Sequence, residues 1–166
     1  MIWFIADEHY GHQGIISYCE RPFSTTKEME HTLISNHNQV VQNDDIVYHL
    51  GDLSMDSRED DRALRKIIKQ LNGQHHLILG NHDKMTPFQY IDMGFTSVHT
   101  SLLLQDKYIL NHDPCIRCSN TKYTFLCGHV HNLFRQYKNV INVGVDVWNF
   151  TPISLTDIEI LLGDYK

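Results

Sequence analysis

The sequence predicts one α/β domain spanning residues 1–166, and three observations carry that expectation. A chain of 166 residues is long enough for one real core and too short for two ordinary domains. Apolar runs of strand length alternate throughout with segments of helical periodicity. No repeat, low-complexity tract or Pro/Gly/Ser-rich linker interrupts them. The composition, 42% hydrophobic and 20% charged, is that of a globular chain and argues against long disorder.

The elements follow in order. The opening "MIWFIADEHYGH" has no basic leader region, turns polar by Asp7, and reads as a buried first strand, "IWFIA". A helix is expected from about Thr26 to Gln42, with Met29, Leu33, Ile34, Val40 and Val41 as its apolar positions and Asn43-Asp44-Asp45 ending it. "IVYHL" is the next strand. In "SMDSREDDRALRKIIKQLNG", Ser57 can cap with Asp60 three residues on, Ala63, Leu64, Ile67, Ile68 and Leu71 recur at helical spacing, and Gly73 stops the helix. "HLILG" is a strand, and "PFQYIDMG" a short helix with Pro87 in its first turn and Gly94 after its end. "KYIL" and "YTFLC" are later strands.

Five of these strands finish in the same chemistry. They run into Asp7-Glu8-His9, Gly51-Asp52, Gly80-Asn81-His82-Asp83, Asn111-His112 and Gly128-His129-Val130-His131. Any one of them is ordinary turn chemistry. Five together point to a metal or catalytic site, because strand termini converge on one rim of a sheet and α/β folds place ligands there. The 12 histidines, against 14 lysines and arginines together, fit that reading. Asp and Asn oxygens with His nitrogens suit borderline divalent ions such as Mn, Fe, Zn or Ni, whereas a structural zinc site would be richer in thiolates.

In order and spacing these motifs resemble the signature of the calcineurin-like metallophosphoesterases, in particular their short single-domain bacterial and phage members. The resemblance runs from residue 7 to residue 131. It implies a four-layer αββα sandwich of two mixed sheets flanked by helices, and two divalent metal ions, with manganese the expected ion in vitro. It assigns the first ion to Asp7, His9, Asp52 and His131 and the second to Asp52, Asn81, His112 and His129, with Asp52 shared. It also implies that a bridging hydroxide attacks phosphorus and that His82, its ring held by Asp83, assists the leaving group. Asn81 and His82 would meet the substrate, and so would His12, three residues beyond His9. Two divalent ions against the charges of Asp7 and Asp52 leave a positive centre that attracts phosphate.

The expected activity is hydrolysis of phosphodiesters, with nucleotides and cyclic nucleotides among the candidates. A phosphomonoesterase of small metabolites is the alternative, and a non-catalytic protein-binding scaffold of the same fold a more remote one. A net charge of -6 disfavours extensive nucleic-acid binding, and no apolar run is long enough for a membrane span. Four cysteines without a disulfide framework suggest a cytoplasmic setting. Cys115-Ile-Arg-Cys118 is a weak half-site, and Arg117 beside it reads as a solvated loop residue. Arg58 in "GDLSMDSRED" does not reproduce the Asp-Arg-Gly of the protein phosphatases. His49 reads as a satisfied sheet histidine, while His31, His37, His75, His76 and His99 have no supporting context. Arg21-Pro22-Phe23 and Trp148-Asn149-Phe150 are candidates for the substrate's organic part, and Asn142 and Asp146 for shaping a loop that closes the metal rim. The oligomeric state is left open.

Overall fold

The computed structural model describes residues 1–55, 61–114 and 122–163, and its architecture follows from alternation along the first strand. In Ile2–Ile5 (β1), Trp3 and Ile5 face one side, and Phe4, with Ala6 just beyond, faces the other. The remaining elements are Gln13–Tyr18 (α1), Thr26–Val40 (α2), Ile46–His49 (β2), Arg62–Ile68 (α3), Gln74–Ile78 (β3), Pro87–Met93 (α4), Ser97–His99 (β4), Leu102–Leu104 (β5), Tyr108–Leu110 (β6), Thr124–Cys127 (β7), Gln136–Tyr137 (β8), Val140–Asn142 (β9), Ile153–Ser154 (β10) and Leu155–Leu161 (α5). One sheet has the order β10-β1-β2-β3-β4 and the other β5-β6-β7-β9-β8. Within them β1 to β4 are parallel, as are β6, β7 and β9, while β10, β5 and β8 are antiparallel edges. Two mixed sheets flanked by helices is the expected fold.

The two faces of β1 belong to two cores. Trp3, Ile5, Val47 and Leu77 pack under α1 to α4, meeting Ile15, Met29, Leu33, Leu64 and Tyr90. Phe4, Ala6, Leu50 and Ile78 pack instead against Tyr108, Leu110, Leu126 and Ile141 of the second sheet. Because β1, β2 and β3 run parallel, and β6 runs parallel to β7, each sheet delivers its polar strand ends to one rim. Among the described residues no helix is long and apolar enough to cross a membrane.

Helix signals hold where capping supports them. Thr25 caps α2 by accepting from Glu28 N at 3.2 Å, and α4 carries a complete capping box between Thr86 and Gln89 behind Pro87, with Gly94 at φ 128° closing it. The chain leaves α2 at Val40, short of Gln42, because Asp45 accepts from Gln42 N at 2.9 Å and holds the turn. Residues Ser57 and Asp60, expected to cap α3, lie outside the described residues, as does Arg58. That helix ends at Ile68 rather than running on to Gly73, and Gly73, at φ 111°, serves the turn into β3. The short helices α1 and α5 had no sequence signal, being six and seven residues and so too short to display a helical repeat.

One part of the helix-side core is polar. His49 Nδ1 contacts Glu8 Oε1 at 2.6 Å, His49 Nε2 contacts His75 Nδ1 at 3.0 Å, and the His37 ring lies 5.8 Å from that of His75. His37 Nε2 donates to Asn72 O at 2.8 Å. Burial pushes His37, His49 and His75 each down to about 3, and Glu8 up to about 8. The expectation of a satisfied His49 holds, and His37 and His75 prove to be its neighbours.

A depressed folded-state pKa contributes stability that is present above the unfolded value of about 6.5 and lost as pH falls toward 3. His37→Gln keeps a donor toward Asn72 and removes one such group. It is expected to flatten the acid limb of the stability curve between pH 6 and 4 by about 1.4 kcal/mol per pH unit, measured by urea unfolding. Equal slopes in both proteins would show that His37 titrates as freely folded as unfolded.

Candidate metal centre

Backbone geometry marks the site before side chains are considered. Asp7, His9, Asp52, His129 and His131 all have φ between 47° and 71°, the left-handed region that non-glycine residues rarely enter. Each lies just beyond a strand end, at the rim of its sheet. Gly80 has a different reason for its identity: a Cβ there would collide with the backbone N and carboxylate of Asp52, so close approach excludes a side chain.

The side chains converge as two groups. Asp7, His9 and His131 form one, and Asp52, His112 and His129 the other, the potential ligand atoms in each lying within 4.8 Å of one another. Asp52 Oδ2 joins them, at 3.6 Å from His9 Nε2 and 3.4 Å from His112 Nε2. Asn81 Oδ1 completes the second group, 3.0 Å from His112 Nε2 and 2.9 Å from His129 Nδ1. The buried Nε2 of His9 has no hydrogen-bond partner among the described residues, as a nitrogen kept for a cation would not. His112 Nδ1 donates to Leu50 O at 2.7 Å, which fixes the ring and turns Nε2 toward the cluster. The donor set therefore fits a pair of divalent ions.

Two acidic residues hold this geometry from behind. Asp83 accepts from Asp52 N at 2.8 Å, Leu53 N at 3.1 Å and Gly80 N at 2.8 Å, tying two strand ends together. The hydrogen bonds of its carboxylate thus run to backbone amides, beside the His82 ring that it was expected to hold. Asp146 contacts His131 Nδ1 at 3.0 Å and accepts from Arg21 Nε at 2.7 Å and a terminal guanidinium nitrogen at 2.9 Å. Arg21 also donates to the carbonyls of Asp7 at 2.7 Å and Glu8 at 3.2 Å. Arg21 thus pins the first strand end and, through Asp146, orients His131. Cys19 lies near His131 and Asp146, but Asp146 is already engaged by Arg21.

The comparisons with known proteins agree with this geometry. Residues 1–164 match the family described as Calcineurin-like phosphoesterase. The chain belongs to that family. An uncharacterised protein of Methanocaldococcus jannaschii is 38% identical, over 99% of this chain and 93% of its own length. The gene 66 protein of Mycobacterium phage L5 is 27% identical, over 88% of this chain and 86% of its own. A solved structure, a protein of unknown function from Aquifex aeolicus, superposes with a TM-score of 0.75 at 26% identity, covering 97% of this chain and 98% of that one.

In this calcineurin-like phosphoesterase the electrostatics favour a cation. Burial pushes Asp7 up to about 7, against the opposing charges of His131 and His112. Burial alone would lower His112, but the Asp52 hydrogen bond and the charges of Asp7 and Asp52 lift it to about 9. Burial would likewise raise Asp52, yet the bond and charge of His112 and the amide of His82 hold it near 2. A proton on His112 is what this field binds without metal, and a divalent ion answers the same field.

A cleft opens beside the first group, walled by His9, His12, His82 and His131 and continuing over apolar residues. His12 Nδ1 lies 3.3 Å from His9 Nδ1, and His82 Nε2 3.9 Å from Asp52 Oδ2, so both histidines flank the ligand cluster. The aromatic candidates fall elsewhere. Phe23 and Phe150 pack edge to face with centroids 4.8 Å apart, Trp148 donates to Asn142 O at 2.7 Å, and Arg21 is buried in its ion pair. Asn142 shapes its loop as expected, donating to His131 O at 2.7 Å and accepting from Gly144 N at 2.8 Å. Cys115, Arg117 and Cys118 lie outside the described residues.

Metal binding would displace the protons on Asp7, raised to about 7, and His112, raised to about 9, so affinity is expected to rise with pH, by up to about tenfold per unit from His112 between pH 6 and 8 and with an added contribution from Asp7 that fades above pH 7. Calorimetry in buffers of different ionisation enthalpy would register that release, and a pH-independent affinity would contradict it. Asp146→Asn is expected to weaken metal binding 10- to 100-fold by freeing the His131 ring. With Arg21 left buried without its partner charge, it should also cost about 3–5 kcal/mol of stability in chemical denaturation.

Proposed function

We propose that the chain is a dinuclear-metal-dependent phosphoesterase that hydrolyses phosphodiesters, nucleotides and cyclic nucleotides among them. One observation carries the proposal: the two ligand groups meet at Asp52 Oδ2, with the Nε2 atoms of His9 and His112 at 3.6 and 3.4 Å. Asp7, His9, Asp52 and His131 would hold one ion, and Asp52, Asn81, His112 and His129 the other. When bound, the ions supply Lewis acidity, polarising the phosphoryl oxygens and acidifying a water. Manganese is the ion we propose for reconstitution.

His82 carries the proton step. Its backbone N donates to Asp52 Oδ1 at 2.9 Å, which fixes the main chain, while its ring stands half-exposed over the rim, 5.4 Å from the ring of His9. From there Nε2 gives its proton to the departing oxygen. His12, with its ring 6.5 Å from that of His82, holds a phosphoryl oxygen on the other side. Diesters are favoured over monoesters because the described lining of the cleft faces the phosphate with histidines and includes no Lys or Arg to pair the second charge of a monoester. A protein-binding scaffold would have no use for seven converging ligands, and we place it behind both enzymatic readings.

The test is a panel of metal-reconstituted assays comparing an aryl phosphodiester, the matching monoester and 2',3'- and 3',5'-cyclic nucleotides. Turnover on the diester above the monoester is expected, and inactivity with every ion would sink the enzyme reading. His82→Ala should lose about 100-fold or more in kcat on a substrate with a poor leaving group and much less on nitrophenyl esters. Equal losses on both would remove His82 from leaving-group protonation.

A further inference from the structure

The cleft beside the ligand cluster extends well past the phosphate. It holds about 500 Å³, within the range of small-molecule sites, and beyond the histidines its wall is formed by Ile15, Tyr18, Cys19, Met55, Val130 and Asn132. Two of these are large and exposed without a partner in either core: Tyr18 at 78% and Met55 at 43%. Tyr18 sits at the last residue of α1, its ring edge-on to His12 with centroids 6.2 Å apart. That same His12 reaches back to His9, so the exposed aromatic face is one residue removed from the ligand cluster. Gly14 permits this arrangement, since a Cβ there would press on the Tyr18 ring at 3.1 Å.

The lining fits one kind of group. Apart from the histidines, the described wall holds no Asp, Glu, Lys or Arg, and burial pushes the Cys19 thiol up to about 11, which keeps it neutral. A charged head group, a polyphosphate or a peptide rich in Lys or Glu would find no counter-charge. A flat, uncharged ring finds an aromatic face in Tyr18, a thioether in Met55, aliphatic contacts in Ile15 and Val130, and an amide at its edge in Asn132. Sulfur against a ring edge and ring on ring are both favourable contacts.

We propose that this cleft is a subsite for a nucleobase carried on the phosphate ester, stacked on Tyr18 and bounded by Met55 and Val130. The inference rests on the phosphoesterase reading and narrows its substrate to nucleotides. Base stacking on an aromatic side chain makes a difference of about tenfold or more in affinity.

The experiment uses the manganese-loaded full chain and calorimetry, so that no turnover is needed. Dissociation constants are measured for adenosine 5'-monophosphate, ribose 5-phosphate and inorganic phosphate, on the wild type and on Tyr18→Ala and Tyr18→Phe. The nucleotide is expected to bind about tenfold more tightly than the sugar phosphate, the ratio to fall to about one in Tyr18→Ala, and to survive in Tyr18→Phe. A ratio near one in the wild type, or one that persists in Tyr18→Ala, overturns the subsite. If phosphate binds and the diester is hydrolysed while the ratio is one, only the base subsite falls. If the loaded protein binds no phosphate, the phosphoesterase reading falls with it.

Discussion

The carboxylate of Asp83 is the fastener of this molecule. Its two oxygens take the amides of Gly80, Asp52 and Leu53 at 2.8 to 3.1 Å, so the loops that leave β2 and β3 are locked into one unit. A buried carboxylate is costly unless hydrogen-bonded, and three N–H donors offset that cost while fixing where Asp52 points. Burial still lifts Asp83 to about 6. From this unit the rest follows: Asp52 stands between the rims of the two sheets, Asn81 faces His112 and His129, and His82 is presented over the cleft. Arg21 and Asp146 do for the first strand end what Asp83 does for the next two.

Much of this was legible in the sequence because it is local. A strand of four or five apolar residues that stops at Asp, Asn or His announces a rim residue, and the repetition of that pattern gave all the residues the structure gathers around Asp52. The supporting residues were not legible, because their partners are remote. Arg21 and Asp146 are 125 positions apart, and a lone Arg in a polar loop gives no sign that topology will bury it beneath two carbonyls. Asp83 was read as a partner for the residue beside it, whereas its oxygens reach back 30 and 31 positions to the amides of Leu53 and Asp52. Tyr18 was missed because α1 is one short helix with no periodic signal, and the better-signed aromatics, Phe23 and Phe150, were needed to pack on each other.

The site's conformational cost is visible in the backbone. Five of its residues occupy left-handed conformations that a relaxed chain avoids, and such positions persist only where surroundings over-determine them. Here the surroundings are sheet hydrogen bonds continued past the strand ends: Asp7 N to Gly51 O at 3.0 Å, His9 N to Asp52 O at 3.1 Å and Gly128 N to His112 O at 3.0 Å. The same bonds that bend the chain also hold the ligands still, which is the preorganisation a metal centre requires.

The division of ligands between the sheets has a mechanical consequence. Asp7, His9, Asp52 and Asn81 hang from the sheet that contains β1, whereas His112, His129 and His131 hang from the sheet that contains β7. Each candidate ligand group therefore draws on both, and a cation seated in either would be a rivet across the seam between them. A cation bound there would add its binding energy to the cohesion of the two halves, and its removal would loosen the sandwich at that rim first.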